Sequence, residues 1–142
     1  MEEFIKVRIE DYSHYPGPRY VMQGPYSGED FYHTVLNEKF KEAYLADKKL
    51  EITLDGVAGY ATSFFDESFG NLIYDFGKDV VINHLIIISN DERDWIDFIF
   101  KDVMTDWEIR RINGDVSETF YHHKPWFRLV DNKLENRQWI LP

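Results

Sequence analysis

Apolar and polar residues alternate at the start of the chain, where FIKVRI at 4–9 reads as a half-buried strand. Residues 15–28, YPGPRYVMQGPYSG, hold three Pro and three Gly, which is loop and turn chemistry with room for a short strand at 19–22. Ser27 then opens SGED, with Asp30 three residues on, an acid-rich helix start. Phe31, Val35, Leu36, Phe40 and Tyr44 recur at helical spacing, so the pattern predicts a helix over 28–46. LEITLDGV at 50–57 returns to period two, with Leu50, Ile52 and Leu54 on one face of a strand.

The next stretch, GYATSFFDESFG at 59–70, changes period again. Phe65, Phe69, Leu72, Ile73 and Phe76 form one apolar stripe of a helix over 62–77. Ser63 precedes Asp66 by three residues and suits a cap at that helix start. Gly70 sits inside the stripe, which favours close packing against a sheet. VVINHLIIIS at 80–89 contains a third strand, and its unbroken Leu85–Ile88 run predicts burial on both faces. Residues 90–107 read as a further helix. Asn90 or Asp91 caps it, and Trp95, Phe98, Ile99, Val103 and Met104 form its apolar face.

Strands separated by helices require crossover connections, so the fold class is α/β: a mixed or largely parallel sheet with helices packed on it. Strands 50–55 and 84–89 are expected side by side, parallel and inside the sheet. A boundary falls near residue 107. The segment 108–142 is polar with aromatic clusters, HHKPWFRLV and RQWILP, and its Trp126, Phe127, Trp139 and Ile140 are too apolar for a free tail. It reads as a C-terminal extension of a 1–107 domain, packed on that domain, contributing one or two strands, or forming a homo-oligomer with a second copy.

Composition narrows the function. Acids outnumber Lys and Arg 26 to 16, a formal charge of -10. Such a surface repels phosphate backbones and argues against nucleic acid as a partner; a basic protein groove suits it better. Aromatics at 17% and hydrophobics at 44% mark a globular chain. The longest apolar run is strand-length, far short of the roughly 18 residues of a membrane span, and no leader pattern opens the chain, so a cytoplasmic setting is expected. The absence of Cys removes disulfides, thiol catalysis and Cys-ligated zinc. His14, His33 and His84 are scattered, and the adjacent His122 and His123 would point to opposite strand faces, so neither a metal nor another cofactor is expected. Arg19 in the Pro/Gly loop suits an anion or an ion pair. No Ser-His-Asp set or phosphate loop is legible, so no catalytic residue is assigned.

Three segments together resemble a family. Pro16, Gly17, Arg19 and Tyr20; Gly24, Ser27, Gly28, Glu29 and Phe31; and Leu54 through Gly70 follow the pattern of the STAS-like family of small bacterial proteins, over about residues 4–107. The family is related to the STAS domains of anti-sigma factor antagonists. There, a Ser at a strand-to-helix junction is phosphorylated by a histidine-kinase-like ATPase, and phosphorylation controls partner binding. The resemblance implies a non-enzymatic signalling module, with Thr62 or Ser63 at the junction as the switch. Ala61-Thr62-Ser63-Phe64 stands where true antagonists carry Asp-Ser-Ser-Gly. Arg19, Tyr20, Ser27, Glu29, Tyr60, Asp66 and Glu67 are the candidate partner or ligand contacts. The alternative is a small hydrolase-like enzyme, or a small-ligand or nucleotide sensor, with a pocket near Arg19 and 59–67.

Overall fold

The computed structural model describes residues 4–115 and 123–138. Strands β1 (Phe4–Arg8), β2 (Lys49–Thr53) and β3 (Leu85–Ile88) form a parallel sheet in the order β1-β2-β3. The β2–β3 pairing is parallel, as the crossover argument requires, but β3 lies at an edge of the sheet and not in its interior. Helix α1 runs over 28–46 as predicted, with a π-helical turn, Tyr32–Leu36, between α-helical Gly28–Phe31 and Asn37–Ala46. Ser27 caps it through its hydroxyl, which accepts from the Asp30 N–H at 2.9 Å. Asp47, in the left-handed region at φ 52°, closes it.

Helix α2 (Thr62–Phe76) crosses the core, and Gly77 separates it from α3 (Lys78–His84). Residues 80–84 belong to this helix, and the third strand starts at Leu85, one residue after the expected 84. Helix α4 spans 94–113 and carries a second π-helical turn, Phe98–Val103. Its N-cap is Arg93, three residues beyond Asn90 and two beyond Asp91, because Asp55 reaches across and binds the Asn90 and Asp91 backbone N–H groups at 2.8 and 2.9 Å, holding them in a loop. No strand forms at 19–22, where Tyr20 precedes a 3₁₀ turn, Val21–Gln23.

Leu50, Ile52, Leu85 and Ile87 share the face that meets the helices, where they join Leu36, Phe40, Phe69 and Ile73 in the core. The opposite face carries Lys6, Arg8, Lys49, Glu51, Ile86 and Ile88, none of them fully buried. The unbroken apolar run in β3 is thus covered on one face, and Ile86 and Ile88 stay half-exposed.

Gly70 serves helix packing, not sheet packing. A Cβ there would stand 2.2 Å from the Trp107 ring, so only glycine admits the α4 indole against α2.

Strands β4 (Trp126–Val130) and β5 (Lys133–Arg137) form a separate antiparallel hairpin. Asp131 and Asn132 both take left-handed backbone (φ 51° and 65°), the pattern of a tight two-residue hairpin turn. The hairpin lies on α1 and α2. The side-chain amide of Asn37 pairs with both backbone groups of Phe127, donating to its C=O and accepting from its N–H, each at 2.9 Å. Arg128 donates from Nε to the buried Asp75 carboxylate at 2.7 Å. Trp139 and Ile140 of the aromatic tail, and His122, lie outside the described residues.

Candidate functional site: the junction at the start of helix α2

The segment between β2 and α2, residues 54–61, is short and strapped down. Tyr60 donates its hydroxyl to the Leu54 C=O at 2.6 Å and stacks on Phe65 at 4.5 Å between centroids. This anchors the chain one residue before Ala61, the N-cap of α2. Ala61 has no side-chain acceptor, and no side chain caps the helix. Thr62 and Ser63 are its first two residues; Thr62 is exposed and Ser63 half-buried. The expected Ser63 cap is therefore not formed. The helix begins two residues too early: its N-cap is Ala61, Ser63 already has helical backbone, and its hydroxyl stands beyond the N-cap position from which it would reach the free N–H groups.

Asp66 and Glu67 follow, and neither is a free surface charge. Arg19 lies 2.5 Å from Asp66 Oδ2 and 3.4 Å from Glu67 Oε1. Trp107 Nε1–H donates to Asp66 Oδ1 at 2.9 Å. Glu67 is 2% exposed and accepts from Asn71 Nδ2 at 2.7 Å. Burial pushes its carboxyl up to about 7, against the pull of Asn71 and Arg19 and with the nearby Glu29 adding to the rise.

Arg19 is delivered by the Pro/Gly loop, which α1 holds in place. Gly28 N–H donates to Pro18 C=O at 2.8 Å and Glu29 N–H to Arg19 C=O at 3.0 Å. A Cβ at Gly28 would stand 2.4 Å from the Phe64 C=O, so the two helix starts touch through bare backbone. Glu29 is 1% exposed; it accepts from the Val21 N–H at 2.9 Å, and its other oxygen lies 2.5 Å from His123 Nε2. His123 stacks on His33, rings 3.9 Å apart and 7° from parallel. Burial, with His123 and Lys124 nearby, pushes His33 down to about 3, so it is neutral at pH 7, with its buried Nδ1 unpartnered.

The candidate residues thus separate into three places. Arg19, Asp66 and Glu67 form one ionic junction. Ser27 and Glu29 are buried structural groups at the start of α1, and Tyr20 stands beside the loop with Arg19 6.0 Å from its ring. Tyr60 lines a separate cavity of about 20 Å³ with Leu54, Ser89 and Trp95. Asn37, Asn71, Asp75, Trp107 and Arg128 escaped the sequence reading, and His123 was weighed there only as a metal ligand. For Asn37 a signal existed, since it is a polar residue beside Phe40 and Tyr44 on the apolar face of its helix.

Residues 27–95 match the family model of a STAS-like domain of unknown function. Over that segment, just under half of the chain, the protein is similar to the STAS-like family. The match begins at the Ser27 cap and ends at Trp95, so it takes in α1, β2, α2, α3 and β3, and leaves Arg19 and the hairpin outside. No curated protein and no solved structure matches the chain. Among the described residues no group of three or more His, Asp or Glu is arranged to hold a metal ion, and no helix is long and apolar enough to cross a membrane.

Proposed function

We propose that the STAS-like domain is a non-enzymatic regulatory module that binds a protein partner through the surface around the start of α2, and that phosphate on Thr62 or Ser63 changes that binding. The partner class implied by the family resemblance is a histidine-kinase-like ATPase. The observation that carries the reading is the uncapped first turn of α2, with an exposed Thr62 and a half-buried Ser63 at the positive end of a 15-residue helix. The two acids that would repel a phosphate there are committed elsewhere. Asp66 is neutralised by Arg19 and bound by Trp107, and Glu67 is buried. A hydrolase or sensor reading needs a pocket near Arg19 and 59–67. Against it, the Arg19 guanidinium is engaged by carboxylates, and the cavity beside Tyr60 holds about one water molecule.

The test is capture from the native host with phosphosite mapping, followed by titration of the purified ATPase against Thr62→Asp, Ser63→Asp, Thr62→Ala and Ser63→Ala. An aspartate at the switch position changes affinity about tenfold, or about 1.4 kcal/mol. Ser63→Ala leaves stability within about 0.5 kcal/mol of the parent, because no cap is lost. Equal affinity for all four variants, with neither hydroxyl phosphorylated, defeats the reading.

A further inference from the structure

A second feature lies on the far side of the domain, where the hairpin meets the end of α2. A depression of about 330 Å³ opens to solvent there, between Tyr74–Gly77, the last turn of α4 and the hairpin turn. That volume suits a small molecule. Its walls are of two kinds. Phe76 and Leu129 are apolar, whereas Arg111 and Arg128 bring two guanidinium groups to the same opening.

The hydrogen bonds of these two arginines leave donors unused. Arg128 gives only Nε to Asp75, and its ring contact is with Tyr74 at 5.0 Å; neither terminal nitrogen donates to any described residue. Arg111 gives Nε and Nη2 to Glu108, and its Nη1 donates to none. The acids beside them are already satisfied. Asp75 is buried and accepts from both Tyr32 and Arg128; Glu108 accepts from Arg111 and from the Lys78 N–H. Arg137 adds its positive charge near Asp75. Asp131, at the hairpin turn, is the one carboxylate of the lining without a partner among the described residues. In a chain of charge -10, two guanidinium groups with unspent donors, set in a depression with apolar walls, form an unusual local environment.

We infer that this depression binds a small organic oxyanion, a carboxylate or a phosphate monoester, held by the free terminal N–H groups of Arg111 and Arg128 with its apolar part against Leu129. Planar guanidinium forks match both headgroups, each presenting paired N–H donors to paired oxygens. The site stands apart from Thr62 and Ser63, at the opposite end of α2, so its ligand and the proposed switch are independent readings.

The test is an NMR titration of the 142-residue chain with inorganic phosphate, and separately with benzoate, against sodium chloride at matched ionic strength. The reporters are the arginine Nε–H signals and the Gly77 amide. The expected result is a saturable shift of the Arg111, Arg128 and Gly77 signals by at least one of the two anions, absent with chloride. Response to phosphate alone assigns the phosphate monoester, and response to benzoate alone the carboxylate. Arg111→Gln, which loses only a surface pair with Glu108, keeps the fold and weakens binding at least fivefold. Arg8→Gln, on the remote sheet face, leaves it unchanged. Shifts that rise linearly with salt, or that are the same in Arg111→Gln, overturn the inference.

Discussion

Replacing Arg128 by Leu tests how the hairpin is held. Asp75, on α2, is 3% exposed, and it has two donors, the Tyr32 hydroxyl and Arg128 Nε. Removing the guanidinium leaves a buried carboxylate with one neutral donor. Breaking a buried ion pair from one side costs about 3–5 kcal/mol. The Arg128 side chain is 23% exposed, so some water reaches the pair and the low end applies, about 3 kcal/mol. At about 3 °C per kcal/mol for a chain of this length, the melting temperature falls by about 10 °C. Burial raises the folded-state pKa of Asp75, partly offset by Arg128 and Tyr32. The folded protein therefore binds this proton more tightly than the unfolded chain, and the associated stability is present at low pH and lost as pH rises through the folded value. Losing Arg128 raises that value further, so the deficit of Arg128→Leu is largest at pH 8 and shrinks toward pH 5. Adding Asp75→Asn removes the buried charge and restores about 2 kcal/mol of the loss. Urea unfolding of parent, single and double variants at pH 5, 6.5 and 8 measures all three. A single variant within about 1 kcal/mol of the parent at pH 8, or a double variant no more stable than the single, would refute the account.

Other perturbations follow from the same geometry. Asn37→Ala orphans the Phe127 N–H and C=O and costs about 2–3 kcal/mol, with faster amide exchange over 126–137 as its signature. Gly70→Ala drives a methyl into the Trp107 ring, which Asp66 and the Arg110 guanidinium 4.4 Å away hold in place; the cost is about 2 kcal/mol or more, read as a lower urea midpoint. Glu67→Gln flattens a pH dependence. The folded carboxyl titrates near 7 against an ordinary 4.5, so its contribution is complete below 4.5 and lost as pH rises through about 7, and the parent loses stability over that window relative to the glutamine variant.

Local pattern carried the secondary structure a long way. The 3.6-residue stripe of Phe65, Phe69, Leu72, Ile73 and Phe76 placed α2 within one residue, and SGED placed the start of α1 at its cap. These features depend on neighbours within a turn or two, which is what a linear pattern records. The errors came where local signals were ambiguous or were overruled by distant groups. VVINHLIIIS is apolar on both sides of Asn83 and His84 and suits helix or strand; only the pairing of Leu85–Ile88 with β2 splits it at residue 85. Ser63 has the spacing of a cap, but the helix entry is fixed by Tyr60 bound to Leu54, two residues before the helix begins.

The candidate site divides in the same way. The resemblance brought Arg19, Asp66 and Glu67 into view as separate motif residues, and the family match supports the STAS-like assignment over 27–95. Their union into one junction, and the burial that pushes Glu67 up, depend on a loop 47 residues away in sequence and on Trp107 of another helix. By itself the sequence determined the fold class, the parallel crossovers and the core stripes, because period and chain connectivity act locally and must agree with any packing that buries the stripes. Tertiary structure alone decided that β3 lies at an edge, that Gly70 admits an indole, and that Asn37 and Asp75 hold a hairpin some 90 and 53 residues farther along the chain. Those outcomes rest on whether a buried polar group finds its one partner in space, and the spacing of residues along a chain does not contain that distance.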